Sequence, residues 1–150
     1  MGLTREAGTQ TEEGLTSVRV NVVRLTKYAV PPSWVEEGSV VPIFCSRTIE
    51  VPRMTPVSLA TDVTIELPPG VQADVMPAKN AREVIQHGIL VTTIPPLSRA
   101  EVQVAYMNYT SAAVTVQRGE RIATIAIYAP FIPLLKVYNR DGSPYLGPMS

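Results

Sequence analysis

Apolar and polar positions alternate in a series of short stretches along the chain. Val18, Val20 and Val22 fall on one face and Arg19, Asn21 and Val23 on the other, in a run closed by Pro31-Pro32. Val63, Ile65 and Leu67 alternate with Asp62, Thr64 and Glu66 up to a Pro68-Pro69-Gly70 turn, and Val102, Val104 and Tyr106 alternate with Glu101, Gln103 and Ala105. A period of two is the signature of a half-buried strand. Val114 and Val116 lead into Arg118-Gly119, after which the segment Arg121 to Tyr128 is apolar on both faces. A strand covered on both sides reads this way, so this one is expected at the centre of a sheet. By the same alternation Asp62 and Glu66 are expected on a charged, solvent-facing strand face rather than in a metal site, and Asp74 is the other acid near these strands.

One stretch departs from the pattern. Asn80 to Gly88 opens on a residue suited to an N-cap, carries Glu83 three positions later and closes on a glycine suited to a left-handed stop. This predicts a single helix of about two turns. His87 then stands near the helix C-terminus, where it serves the dipole rather than catalysis. Before Val18 the alternation vanishes: residues 1–17 are polar and dotted with glycine, which predicts a flexible arm.

Composition sharpens this outline. Fourteen prolines among 150 residues would break almost any set of long helices, leaving many short strands joined by turns, hence a sandwich, barrel or jelly roll. Thirteen basic residues balance thirteen acidic ones, so no net field attracts a phosphate backbone and nucleic acid is not an expected partner. No apolar run approaches the roughly 20 residues of a membrane span, and the first residues lack the apolar core of a signal peptide, so the expected location is intracellular. The single cysteine, Cys45, forms no internal disulfide and reads as a small core hydrophobe, and one His with one Cys builds no zinc site. Asn108-Tyr109-Thr110 is a glycosylation sequon on paper only, given its place beside a strand.

The order of segments carries more. Thr48-Ile49-Glu50-Val51-Pro52, Val63 to Gly70, Val75-Met76-Pro77 before the helix, His87-Gly88-Ile89, Arg99-Ala100-Glu101-Val102, Asn108 and Gly119-Glu120-Arg121-Ile122-Ala123 together resemble the homotrimeric dUTPase family, from about Val40 to Tyr128. The resemblance implies an all-β fold, a jelly-roll β barrel with one short α-helix, in a homotrimer whose active sites lie at subunit contacts. Residues 18–129 would form the barrel and residues 130–150 a Pro-rich C-terminal arm. It also implies hydrolysis between the α and β phosphates, with Mg²⁺ on the phosphates and a carboxylate activating water.

Compared motif by motif, this chain departs from that chemistry. The segment matching Ala-Gly-Tyr-Asp-Leu is Val40 to Ser46, with Ile43 in place of an acid. Pro-Arg-Ser-Gly becomes Pro77-Ala78-Lys79-Asn80, so Ala78 and Lys79 replace the phosphate grip, although Lys79 remains a point charge for an anion. Counting back from Arg99 sets Pro95 at the water-activating aspartate and Ser98 at the family's tyrosine, and Thr124 replaces a glutamine after the Gly-Glu-Arg-Ile-Ala stretch. The Gly-rich arm is at most echoed by Asn139 to Gly147. The expectation is therefore a catalytically inactive member, similar to a viral branch that includes adenovirus early-region proteins. It would use no cofactor and act through host or viral protein partners as an adaptor or a capsid or virion component. The alternative is an active dUTP pyrophosphatase with rearranged motifs. Thr9-Gln10-Thr11 resembles the core of extended peptides that add a strand to dynein light chain, and Phe131, Ile132, Leu134 and Leu135, interrupted by prolines, are expected to pack on a neighbouring subunit.

Overall fold

The computed structural model describes residues 18–129 and 134–148. Among them are ten strands and one helix: β1 Asn21–Arg24, β2 Val40–Phe44, β3 Ile49–Val51, β4 Pro56–Leu59, β5 Val63–Glu66, β6 Gln72–Met76, α1 Glu83–Gln86, β7 Thr92–Ile94, β8 Val104–Met107, β9 Val114–Val116 and β10 Arg121–Tyr128. All strand pairs are antiparallel. Strand β10 is central, as its two apolar faces require, with β2 on one side, β6 on the other and β7 beyond β6. Three two-stranded ladders, β1 with β5, β3 with β9 and β4 with β8, complete a jelly-roll arrangement. Among the described residues the hydrogen bonds group the strands into these four sheets, within the all-β jelly-roll fold with one short helix that the sequence leads one to expect.

The core lies between the ladders. Ile43, Leu59, Ile65, Ile85, Tyr106, Ile122 and Ile125 are fully buried in it, each contributing about 1.5–3 kcal/mol through removal from water. Cys45 belongs to the same core, with its thiol donating to the Arg47 carbonyl at 3.1 Å, and burial pushes that thiol up from its ordinary value. Asn108 is buried as well, its amide donating to the carbonyls of Val51 and Ala112 at 2.9 Å each, so the sequon offers no accessible acceptor.

Three local expectations need correction. The helix covers only Glu83–Gln86, and its N-cap is Arg82 with no side-chain cap. In place of an Asn80 cap, the Gln86 amide reaches back to the carbonyls of Lys79 at 2.9 Å and Ala81 at 2.6 Å, holding the preceding loop. Gly88 does not adopt a left-handed conformation; glycine is needed because a Cβ there would collide with the Met107 carbonyl and the Tyr106 ring. Asp62 is not on a solvent face. It is 5% exposed at φ +53°, where its Oδ2 accepts from Thr26 Oγ1 at 2.8 Å and from Arg47 Nη2 at 3.2 Å. Thr64 is buried beside it because the Glu101 backbone bridges to that residue.

Candidate functional site

The register of β10 assembles the site. Thr124 lies opposite Pro42 on β2 and Met76 on β6, and Ala126 lies opposite Val40 and Asp74. Met76 immediately precedes Pro77, so strand pairing brings the Pro77-Ala78-Lys79-Asn80 loop to the same end of the sheet as the Gly119-Glu120-Arg121 turn. The turn is fixed by Gly119 at φ +85° and by its N–H donating to the Cys45 carbonyl at 2.7 Å. Ala78 is buried and anchors the loop, while Lys79 is exposed and carries its charge into solvent.

Two arginines organise this end. Arg82 forms a bidentate pair with Glu120, and its Nη2 donates to the Thr115 carbonyl at 2.7 Å, tying the helix to the turn. Burial raises the Glu120 carboxyl, but Arg82 and the Gln117 N–H outweigh it and hold Glu120 below the usual carboxylate range. Arg121 donates from Nη1 and Nη2 to Glu36 at 2.8 and 2.7 Å, and from Nη2 to Thr124 Oγ1 at 2.9 Å. Glu36 is likewise held low by its hydrogen bonds from Arg121 and Trp34.

A different carboxylate stands apart from these pairs. Asp74 is the only acidic residue on the strands of the four-stranded sheet. It is half-buried, and its Oδ1 accepts from Thr93 Oγ1 at 3.0 Å and from the Tyr128 hydroxyl at 3.3 Å. Asp74 and Met76 point to the same sheet face, as residues two apart on a strand do, so Asp74 shares that face with Thr124, about 7 Å along the strand.

The remaining sequence-derived positions disperse. Ile43 is 1% exposed and points into the core. Pro95 and Ser98 follow β7 at the Gln72 end of the sheet, away from Lys79 and Thr124. Hydrogen bonds from Met107 N to the Gly88 carbonyl and from Leu90 N to the Ala105 carbonyl hold the segment before β7 against β8, and no acid stands between Gly88 and Ser98. Thr9, Gln10, Thr11, Phe131 and Ile132 lie outside the described residues, whereas Leu134 and Leu135 are strongly exposed. Asn139 to Pro144 form a small turn of their own, with Asp141 accepting from the Ser143 N–H and hydroxyl.

No three acidic, histidine or cysteine side chains converge on a metal position among the described residues. Glu36 and Glu120 are committed to arginines and Asp74 stands without a second carboxylate beside it, so a resident Mg²⁺ does not fit the side chains of this chain alone. Sequence reasoning named Asp74 but gave it no role. The signal that could have found it is that strands β2, β6, β7 and β10 hold one acid between them.

Residues 41–140 match the model of the family described as dUTPase. The chain is 25% identical over 129 residues to a deoxyuridine 5'-triphosphate nucleotidohydrolase of Fowl adenovirus A serotype 1, covering 85% of this chain and 72% of that protein. It is 29% identical over 126 residues to the protein of the same name from Hydrogenobaculum sp., covering 80% and 83%. Among solved structures, a mutant dUTPase of Staphylococcus bacteriophage 80alpha with dUpNHpp superposes with a TM-score of 0.66 at 17% identity, covering 85% of this chain and 92% of that one, which supports the fold. These matches overturn the expectation of an inactive adaptor or capsid component, because relatives aligned over most of the chain are named as nucleotidohydrolases. That expectation rested on letters missing at motif positions, and the relatives favour its alternative, an active enzyme with rearranged motifs.

Proposed function

The chain belongs to the dUTPase family, and from that membership we propose that it hydrolyses deoxyuridine 5'-triphosphate to the monophosphate and pyrophosphate, with its site groups redistributed from the family's motif positions. The observation that carries this reading is the β6–β10 register, which sets Asp74 on the sheet face of Thr124 and brings the loop that carries Lys79 to the sheet end beyond Thr124, within the matched region. Lys79 supplies a point charge for phosphate oxygens, and the Thr124 hydroxyl supplies a directed donor. Asp74 takes the proton of the attacking water, a role for which Glu36 and Glu120 are poorly suited because their arginines keep them ionised and weakly basic. The assembly is a homotrimer, in which neighbouring copies complete the nucleotide pocket over this sheet end. The exposed Leu134, Leu135, Trp34 and Val35 support that association.

Pyrophosphate release from dUTP, followed in Mg²⁺ buffer, tests the reading. The full chain is expected to turn over dUTP in preference to dCTP and dTTP, and Asp74→Asn to lose about a hundredfold or more in kcat with an unchanged melting temperature. A wild-type chain that releases no pyrophosphate would refute the function. Full activity in Asp74→Asn would refute the assignment of the base.

A further inference from the structure

Glu36 lies in no motif of the family, yet it is held as firmly as any residue of the site. Its N–H donates to the Val40 carbonyl at 2.8 Å across a tight turn in which Gly38 and Ser39 have φ of +87° and +61°. The Ser39 carbonyl in turn accepts from Ile127 N at 3.2 Å, so this turn is fastened to β10. Resting on the hydrolase reading above, we infer that Glu36 is a positioning residue which, through Arg121, aims the Thr124 hydroxyl at a phosphate of the bound nucleotide.

The chemistry follows from donor counting. A guanidinium has only donors, so at the 2.9 Å contact between Arg121 Nη2 and Thr124 the hydroxyl oxygen accepts. The single Thr124 proton is then left to donate elsewhere, and an anionic oxygen above the sheet face is its natural acceptor. That direction depends on the guanidinium plane, which is set by the two-pronged contact with Glu36. The Arg121 side chain is only 12% exposed, so it cannot shed its charge to water if the carboxylate is removed. The indole of Trp34, the only tryptophan of the chain, donates to the same Glu36 carboxylate at 3.3 Å and leans on Phe44 with ring centroids 5.8 Å apart. Indole emission therefore reports on whatever moves the Glu36–Arg121 pair.

A double-mutant cycle on the full chain decides the matter. Glu36→Gln and Thr124→Val are each expected to lower kcat/KM for dUTP by about tenfold, and the double variant by no more than Thr124→Val alone, because both remove the same donor alignment. Glu36→Asp keeps the charge and is expected to recover most of the loss, which also guards against a Glu36→Gln variant that fails to fold. Additive losses, or wild-type kcat/KM in a Glu36→Gln variant that merely melts earlier, would overturn the inference. Binding of inorganic triphosphate, followed by Trp34 emission, separates this outcome from failure of the hydrolase reading. If dUTP is not turned over but triphosphate changes the emission in wild type and not in Thr124→Val, the positioning role stands without the enzyme. If triphosphate leaves the wild-type emission unchanged and the variants lose no activity, the role is refuted.

Discussion

At the scale of single residues, two positions carry more than their neighbours. Asp62 joins three separate chain segments, through Thr26 after β1, Arg47 before β3 and its own place before β5. Burial raises its carboxyl, but the hydrogen bonds from Thr26 and Arg47 outweigh that effect and hold it below the ordinary range. A group lowered in the folded state stabilises fully above the unfolded value and loses that contribution as the pH falls through the folded value. Asp62→Asn is therefore expected to cost about 1.5 kcal/mol at neutral pH in urea unfolding, and the difference from wild type should shrink in acid. A constant difference down to pH 2 would contradict this. Gly88→Ala is expected to cost about 1–3 kcal/mol by the same measurement, because a methyl group must displace the Tyr106 ring or the Met107 backbone. The glycine was visible in the sequence, but its reason was not. A nine-residue window reads Gly88 as a helix stop; the ring that excludes a side chain arrives eighteen residues later, through pairing with β8.

Elements differ in how much of their form is local. Strand β10 was legible from its run of apolar residues on both faces, and β5, β8 and β9 from their alternation, because burial imposes those patterns wherever the partner strands come from. The helix was over-read: capping residues were present at Asn80 and Glu83, but the loop before it is held by Gln86 reaching back to Lys79 and Ala81. Gln86→Ala is expected to leave the sheet intact and cost about 1 kcal/mol, with faster amide exchange confined to residues 78–86. Exchange that quickens throughout β6 and β10 instead would show that the loop is part of the core. Strand β7 escaped the sequence reading altogether. Thr92-Thr93-Ile94 has too few apolar residues to signal a strand, and its conformation comes from pairing with β6. The placement of Asp74 was hidden for the same reason, since only the register of β6 and β10 sets it on the face of Thr124.

The whole molecule leaves apolar surface without a partner in one copy. A groove of about 570 Å³ lies between Val18, Val20 and Val22 on one side and Trp34, Val35 and Ile127 on the other, and Ala129, the last described residue of the body, lines it. Beyond it, Leu134, Leu135 and Leu146 are each more than 80% exposed. A contiguous apolar groove of this kind marks an interaction surface, and association between copies is one way to cover it. Ending the chain after Tyr128 is expected to convert the proposed trimer into monomer or aggregate by light scattering, with loss of the proposed dUTP turnover. An intact, active trimer would assign the contacts to the sheet body alone.

The sealed position of Cys45 turns the protein into its own clock. Its main chain is clasped by the Glu120 carbonyl and the Gly119 N–H, and its sulfur is shut away from solvent, so a thiol reagent reaches it only when β2 parts from the turn leading into β10. One thiol per chain gives one kinetic phase, free of ambiguity about which site has reacted. Labelling in native buffer should then proceed at the rate set by that opening: slowly in the intact protein, faster once Asp62 is neutralised, and more slowly again when a nucleotide holds the two strands together.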